Sequence, residues 1–180
     1  MSKLFVDEIV HQSSQGSGTI TLGASGETIS FASGVTGLNY PAFEARLSSD
    51  QTLTDNTLTK IAFATENLDT DNCYDNSTNY RFTPTVAGKY FVYLNVGFVG
   101  GGGINDSSSQ IYRNTDPHII ALNNDSALTQ QSQFCSGIIN LNGTTDYVEA
   151  YANNDVAVGS SCYLDSDNNK TVFGAYRIGT

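Results

Sequence analysis

The sequence predicts an all-β protein, a β-sandwich of the jelly-roll kind, preceded by a short β-rich N-terminal stem. Three observations predict it. The residue mix is one of strands and turns: only 14% of the 180 residues are charged, Trp is absent, and ten Tyr and nine Phe supply the large apolar groups. Tyr and Phe suit pleated, half-buried surfaces, while Gly, Ser, Thr and Asn compete with helical backbone and favour turns. Apolar residues recur in short alternating runs between turn-rich segments, the spacing of a sandwich or jelly roll. No segment carries helical periodicity.

Residues 1–37 read as the stem. After MSKLFVDEIVHQ, two units match: Thr19-Ile20-Thr21-Leu22 and Thr28-Ile29-Ser30-Phe31. Each alternates polar and apolar, and Gly23, Gly26 and Gly34 punctuate them. Such strands have too little side-chain mass to bury a core alone, so they are expected to pair with copies from neighbouring chains. A flexible Gly/Ser linker is the other reading of this composition.

Residues 38–180 read as one β-domain, and a chain of this length buries roughly 70% of its unfolded surface without staples. The expected strands are Ala42–Leu47, Thr59–Phe63, Tyr80–Pro84, Lys89–Val99, Gln110–Arg113, His118–Leu122, Gln133–Leu141, Asp146–Tyr151 and Thr171–Ile178. The run Lys89–Val99 is apolar on both sides: Tyr90, Val92, Leu94, Val96 and Phe98 share one face, Phe91, Tyr93 and Val99 the other. A strand with one wet face alternates cleanly. This one is either covered twice within the sandwich or meets another subunit, and exposed aromatic surface of that size favours the second. In Asp146–Tyr151, Tyr147 and Tyr151 flank Glu149 opposite Val148 and Ala150. Tyr, with an apolar body and a polar tip, suits an interface. The candidate interface residues are therefore Tyr90, Val92, Tyr93, Tyr147 and Tyr151.

The net charge of −10 argues against nucleic acid, which requires clustered cations. The eight basic residues are scattered. Three cysteines, Cys73, Cys135 and Cys162, form no CxxC, so three buried thiols are expected, with one Cys73–Cys162 bridge as the alternative. Asp7 and Glu8 interrupt what would be a signal peptide's apolar stretch, and no run approaches a membrane span.

Catalytic signals are weak. A Ser-His-Asp triad would have to use His11 or His118, and no G-x-S-x-G occurs. Asp69, Asp71 and Asp75 cluster in one polar loop, and Asp165 and Asp167 in another. Neither loop has the apolar surroundings that raise a general acid's pKa. Both read as solvated turns, with calcium at Asp165 and Asp167 as the alternative, since hard cations take loop oxygens. The N-x-[ST] triplets at Asn76 and Asn142 read as chance in so Asn- and Ser-rich a chain. Gly100–Gly103 reads as a mobile loop after a strand.

From Pro41 onward the chain resembles the globular head of complement subcomponent q and its sister, the tumour-necrosis-factor jelly roll. The resemblance is carried by PAFEARLS, KIAF (Lys60–Phe63), Asn67, Tyr74, YRFTPTVAGKYFVYLNV (Tyr80–Val96), SGIINL (Ser136–Leu141), DYVEAY (Asp146–Tyr151) and VFGAYRI. Its most specific piece is Phe82-x-Pro84-x-x-Ala87-Gly88-x-Tyr90. It implies a jelly roll of about ten strands, a tight homotrimer with the aromatic strands on its threefold axis, no catalysis, and partner binding through loops, with calcium held there in some members. The collagen-like Gly-X-Y stem of many members is missing. LFVDEIV and GTITLGASGETISF instead resemble the short stalks of tailed-phage fibre proteins.

The combined expectation is a non-enzymatic bacteriophage virion protein, a trimeric fibre knob or capsid decoration assembled in the host cytoplasm. Residues 1–37 would hold it to other virion proteins. A host glycan or protein would meet loops near Asp69–Asn79, Gly100–Ser109, Asn123–Gln131 and Asn153–Asn169, with Asp69, Asp71, Asn123 and Asp125 as candidate contacts. No cofactor, nucleic acid or membrane insertion is expected. The rivals are a soluble lectin-like module of the same fold and a fibre-borne glycan hydrolase.

Overall fold

The computed structural model describes residues 40–124, 128–157 and 160–179. The strands run β1 (Ala42–Arg46), β2 (Gln51–Thr52), β3 (Thr59–Lys60), β4 (Thr65–Asp69), β5 (Tyr74–Asp75), β6 (Arg81–Phe82), β7 (Gly88–Gly100), β8 (Ile104–Arg113), β9 (Asp116–Asn123), β10 (Gln130–Leu141), β11 (Val148–Val156), β12 (Cys162–Leu164) and β13 (Val172–Gly179). One 3-10 turn at Asp167–Asn169 is the sole helical element among the described residues. All pairings are antiparallel.

The strands form two sheets. In the seven-stranded sheet β7 is central, with β10 on one edge and β13 and β12 end to end on the other; β1 and β4 extend the sheet beyond β13. The six-stranded sheet runs β5-β6-β11-β8-β9, with β3 also on β11. Period-two alternation decides which side chains meet between the sheets. Tyr90, Val92, Leu94 and Val96 of β7 and Val148, Ala150 and Ala152 of β11 are each 0% exposed and belong to one core. Phe43 lies at its aromatic centre, 4.6 Å from the rings of both Tyr74 and Phe82 and edge-on to Phe173 at 5.1 Å. Burying one such ring contributes about 1.5–3 kcal/mol.

The sequence misses β2, β4, β5 and β12, and it shortens β8 and β11. Ile104–Ser109 and Asn153–Val156 are strand, although both were expected to be loop. Their Ser, Asn and Asp content reads as turn, but Ser107, Ser109 and Asn154 point into the sandwich and find partners there. The Gln133 side-chain amide donates to the carbonyl and hydroxyl of Ser107, at 3.2 and 2.8 Å. The Asn154 amide donates to the Val99 carbonyl at 3.2 Å. Once bonded, buried polar groups tolerate a strand interior. Conversely, of Thr59–Phe63 and Tyr80–Pro84 only Thr59–Lys60 and Arg81–Phe82 join a ladder. Cys73, Cys135 and Cys162 are free and buried, which raises all three thiol pKa values and leaves the Cys73–Cys162 bridge unformed.

Candidate functional site

Among the described residues nothing covers the aromatic outer face of the seven-stranded sheet. Strand register sets Phe91 of β7 beside Ile138 of β10 and Tyr176 of β13, and sets Tyr93 beside Ser136 and Gly174. Phe134 is 60% exposed, Ile138 59%, Tyr176 47% and Ile178 44%. Phe91 lies 5.5 Å from Tyr176 and 6.2 Å from Tyr93, so the rings form one surface. Gly174 makes room for it, because a Cβ there would overlap the Tyr93 ring. The Tyr93 hydroxyl donates to Glu44 at 2.5 Å, and Asn67 donates to the other Glu44 oxygen at 3.0 Å. Burial, reinforced by that carboxylate, holds the Tyr93 hydroxyl well above the usual phenol range.

The outer face of the six-stranded sheet is also rich in tyrosine, and its carboxylate Glu149 is paired within the chain. Tyr112 and Tyr151 pack at 4.4 Å, and the Arg81 guanidinium sits 4.3 Å over the Tyr147 ring. Glu149, only 5% exposed, pairs with Lys60 and accepts from the Tyr151 hydroxyl at 2.7 Å. Asp146 holds Arg113 at 2.8 Å and Asn114 at 2.9 Å, and these donors lower its carboxyl pKa.

The five candidate interface residues do not form one patch. Tyr90 and Val92 are 0% exposed in the core, so they have no surface to offer a neighbour. Burial raises the Tyr90 hydroxyl to a pKa of about 12, and it donates to Val86 at 2.6 Å. Tyr93 lies on the outer face of the seven-stranded sheet, while Tyr147 and Tyr151 lie on the far side of the sandwich. Period two explains the split: Tyr90 and Val92 have the phase opposite to Phe91 and Tyr93. Phe134, Ile138, Tyr176 and Ile178 are not among the sequence candidates, although their strands are. Their signal was register: Phe134, Ile138 and Tyr176 lie opposite Asn95 and Phe91 of β7's outward row, and Ile178 sits at the ladder's irregularity beyond them, which a single strand's alternation does not disclose.

The loop candidates are structural. Asp69 accepts from the backbone N–H groups of Asp71, Cys73 and Tyr74, at 3.3, 3.1 and 2.8 Å. Asp71 lies in that turn, and its Oδ2 is buried without a hydrogen-bond partner. Asn123 donates to Gln131, which in turn bonds Ser107, tying β9, β10 and β8 together. Asp165 accepts from Lys170 at 2.5 Å and from the Asp167 N–H at 2.8 Å. Among the described residues no third acidic, His or Cys side chain joins Asp165 and Asp167. Asp125, His11 and the stem 1–37 lie outside the described residues.

No protein-family model and no curated protein matches the chain. Solved structures do. Murine APRIL at pH 8.5 superposes with a TM-score of 0.58 at 11% identity, over 78% of this chain and 100% of that one. The globular domain of zebrafish complement 1qA gives 0.53 at 15% identity, over 77% of this chain and 97% of its own. The fold is the tumour necrosis factor and complement 1q jelly roll. The Eiger TNF of S. frugiperda is a further likeness, with a TM-score of 0.54 at 9% identity over 78% of this chain and 92% of its own. Within this jelly roll the uncovered face lies on the sheet built around β7, and the Arg81–Tyr147 and Lys60–Glu149 pairs lie on the other.

Proposed function

We propose that the chain is a non-enzymatic structural protein of a bacteriophage particle, a homotrimeric jelly roll displayed as a fibre knob or capsid decoration. Residues 1–37 anchor it to other virion proteins, and the domain meets the host surface. The observation that carries the reading is the uncovered row Phe134, Ile138, Tyr176 and Ile178, each 44–60% exposed, beside Phe91 and Tyr93. A contiguous apolar face of this kind marks an interaction surface. The jelly-roll resemblance makes a second and third copy of the chain its natural cover, and the phage-like stem sequence supports the particle.

A soluble lectin-like module is the second reading, favoured by the same fold. The hydrolase reading fares worse. Glu149, Asp146 and Asp165 are buried carboxylates, and each is paired with a cation instead of sharing a cleft with a second carboxylate. The test is native mass by sedimentation equilibrium, with and without residues 1–37, together with antibody labelling of purified particles. A trimer in both forms and labelled particles support the proposal. A monomer in both forms overturns the trimer, and unlabelled particles overturn the virion role.

A further inference from the structure

We propose that the open cleft beside the β5–β6 edge of the six-stranded sheet binds a neutral saccharide; this rests on the domain's role as a surface-contact module and names the ligand class and site. The cleft measures about 370 Å³, and its lining includes Asn72, Asn79, Arg81, Thr83 and Thr85. That volume falls at the lower end of small-molecule sites, about 300–1,000 Å³.

Arg81 is the key group. Its guanidinium stacks 4.3 Å over the Tyr147 ring, which fixes its plane without using its N–H donors. No hydrogen-bond or ion-pair acceptor among the described residues takes those donors, whereas Lys60, Arg113 and Lys170 each hold a carboxylate. An oriented guanidinium with free donors is prepared for a ligand's oxygens. Thr83 adds a hydroxyl and Asn72 an amide that each donate and accept, and the Thr85 hydroxyl, which also bonds the Cys73 thiol, has a lone pair to offer.

The wall is rigid. Asp75 accepts from Ser77 N–H and hydroxyl at 3.1 and 3.2 Å, from Thr78 N–H at 2.9 Å, and from Asn79 N–H and amide at 3.1 and 2.6 Å. Asn72 and Tyr80, at the two ends of this segment, have φ of 54° and 49°. A bulky Tyr in the left-handed region is an outlier of the kind that gathers at ligand clamps.

The chemistry selects a neutral ligand. Asp69 accepts three hydrogen bonds and Asp75 five from the turn, so both carboxylates are committed to holding it. They nonetheless keep the neighbourhood acidic, and with a net charge of −10 the chain repels polyanions at long range. What the cleft offers is a fan of donors and hydroxyls, which fits the ring oxygens and hydroxyls of an uncharged sugar. The cleft belongs to the six-stranded sheet, so it stays open when copies of the chain cover the other one.

The test is amide NMR of the full chain titrated with the methyl glycosides of glucose, galactose and N-acetylglucosamine, with N-acetylneuraminate as the anionic comparison. At least one neutral glycoside is expected to shift the amides of Asn72, Asn79, Thr83 and Thr85, equally at low and high salt. Arg81→Gln is expected to weaken that binding about tenfold. Thr85→Val, which leaves the Arg81–Tyr147 stack in place, is expected to weaken it as well, with melting temperature checked for both variants. The proposal is overturned if no neutral glycoside moves these amides, if both variants bind undiminished, or if only the anionic sugar binds and salt abolishes it. A trimeric, particle-borne protein that binds no sugar would overturn the cleft alone and leave the display role intact.

Discussion

Replacing Phe134 and Ile138 together by Ala separates assembly from folding. Both side chains are more than half exposed in the single chain, at 60% and 59%. Fully burying such a side chain contributes about 1.5–3 kcal/mol, so covering its exposed part on assembly contributes about 1–2 kcal/mol. In the proposed trimer both positions recur in each of three protomers, and Ala keeps a methyl group, which brings the loss to roughly 5 kcal/mol per trimer. Each 1.4 kcal/mol is about a factor of ten in the association constant. Since three chains combine, the half-association concentration rises with the square root of that constant, roughly fifty-fold. The isolated fold should change little, within about 0.5 kcal/mol, because neither residue is in the core. Sedimentation velocity across a dilution series reads the first quantity and thermal melting of the dilute monomer reads the second. A dilution curve that coincides with that of the unmodified protein would refute the assignment of this face to assembly.

Other consequences follow from the same geometry. Phe43→Ala removes the ring that touches Tyr74, Phe82 and Phe173, and is expected to cost about 3–5 kcal/mol in urea unfolding. Gly174→Ala drives a Cβ into the Tyr93 ring and breaks its bond to Glu44. It is expected to cost about 1–3 kcal/mol, and much less in a Tyr93→Ala background; equal costs in both backgrounds would show that the ring is not what the methyl meets. The carboxyl pKa values of Asp50, Asp75 and Asp146 are lowered, chiefly by hydrogen bonds from Ser166, from Thr78 and Ser77, and from Arg113 and Asn114. A folded pKa below the unfolded one stabilises above the unfolded value, about 3.9, and that stability is lost as pH falls through the folded pKa. The urea midpoint should therefore drop between about pH 5 and about pH 2, and less steeply in Asp146→Asn; a pH-independent midpoint would contradict the assignment.

The fold class was legible because composition and alternation are local properties, and both point to strands. The long strands β7, β10 and β13 were found nearly whole. What escaped depended on partners distant in sequence. Gln51–Thr52 and Cys162–Leu164 are strands because they pair with each other across the sheet, and two or three residues carry no period of their own. The serines of β8 read as loop because nothing in INDSSSQ announces that Gln133 will meet Ser107. Sequence located the aromatic strand of the candidate site but not which of its two faces turns inward, so Tyr90 and Val92, which lie in the core, stood among the interface candidates.

The two tyrosine-bearing faces look alike in sequence and differ in what their charges do. On the six-stranded sheet, Lys60, Arg81 and Glu149 sit among Tyr112, Tyr147 and Tyr151, so each ring already has a charged neighbour from its own chain. Long cationic stems lie over such rings and keep their heads in water, which makes the face stable when wet. On the seven-stranded sheet the polar groups Glu44, Asn67 and Arg46 bond one another to one side of the ring cluster, at 3.0 and 3.3 Å. Phe134, Ile138 and Tyr176 remain 47–60% exposed beside them. A face that satisfies its own charges gains little from a cover of protein, while one that segregates its apolar side chains gains their whole transfer free energy. The ring cluster supports the proposed assembly through the sheet around β7, whereas the exposed apolar residues Ile120 and Leu122 of the other sheet lie apart on its edge strand β9, and the cleft beside Arg81 stays available for small polar ligands.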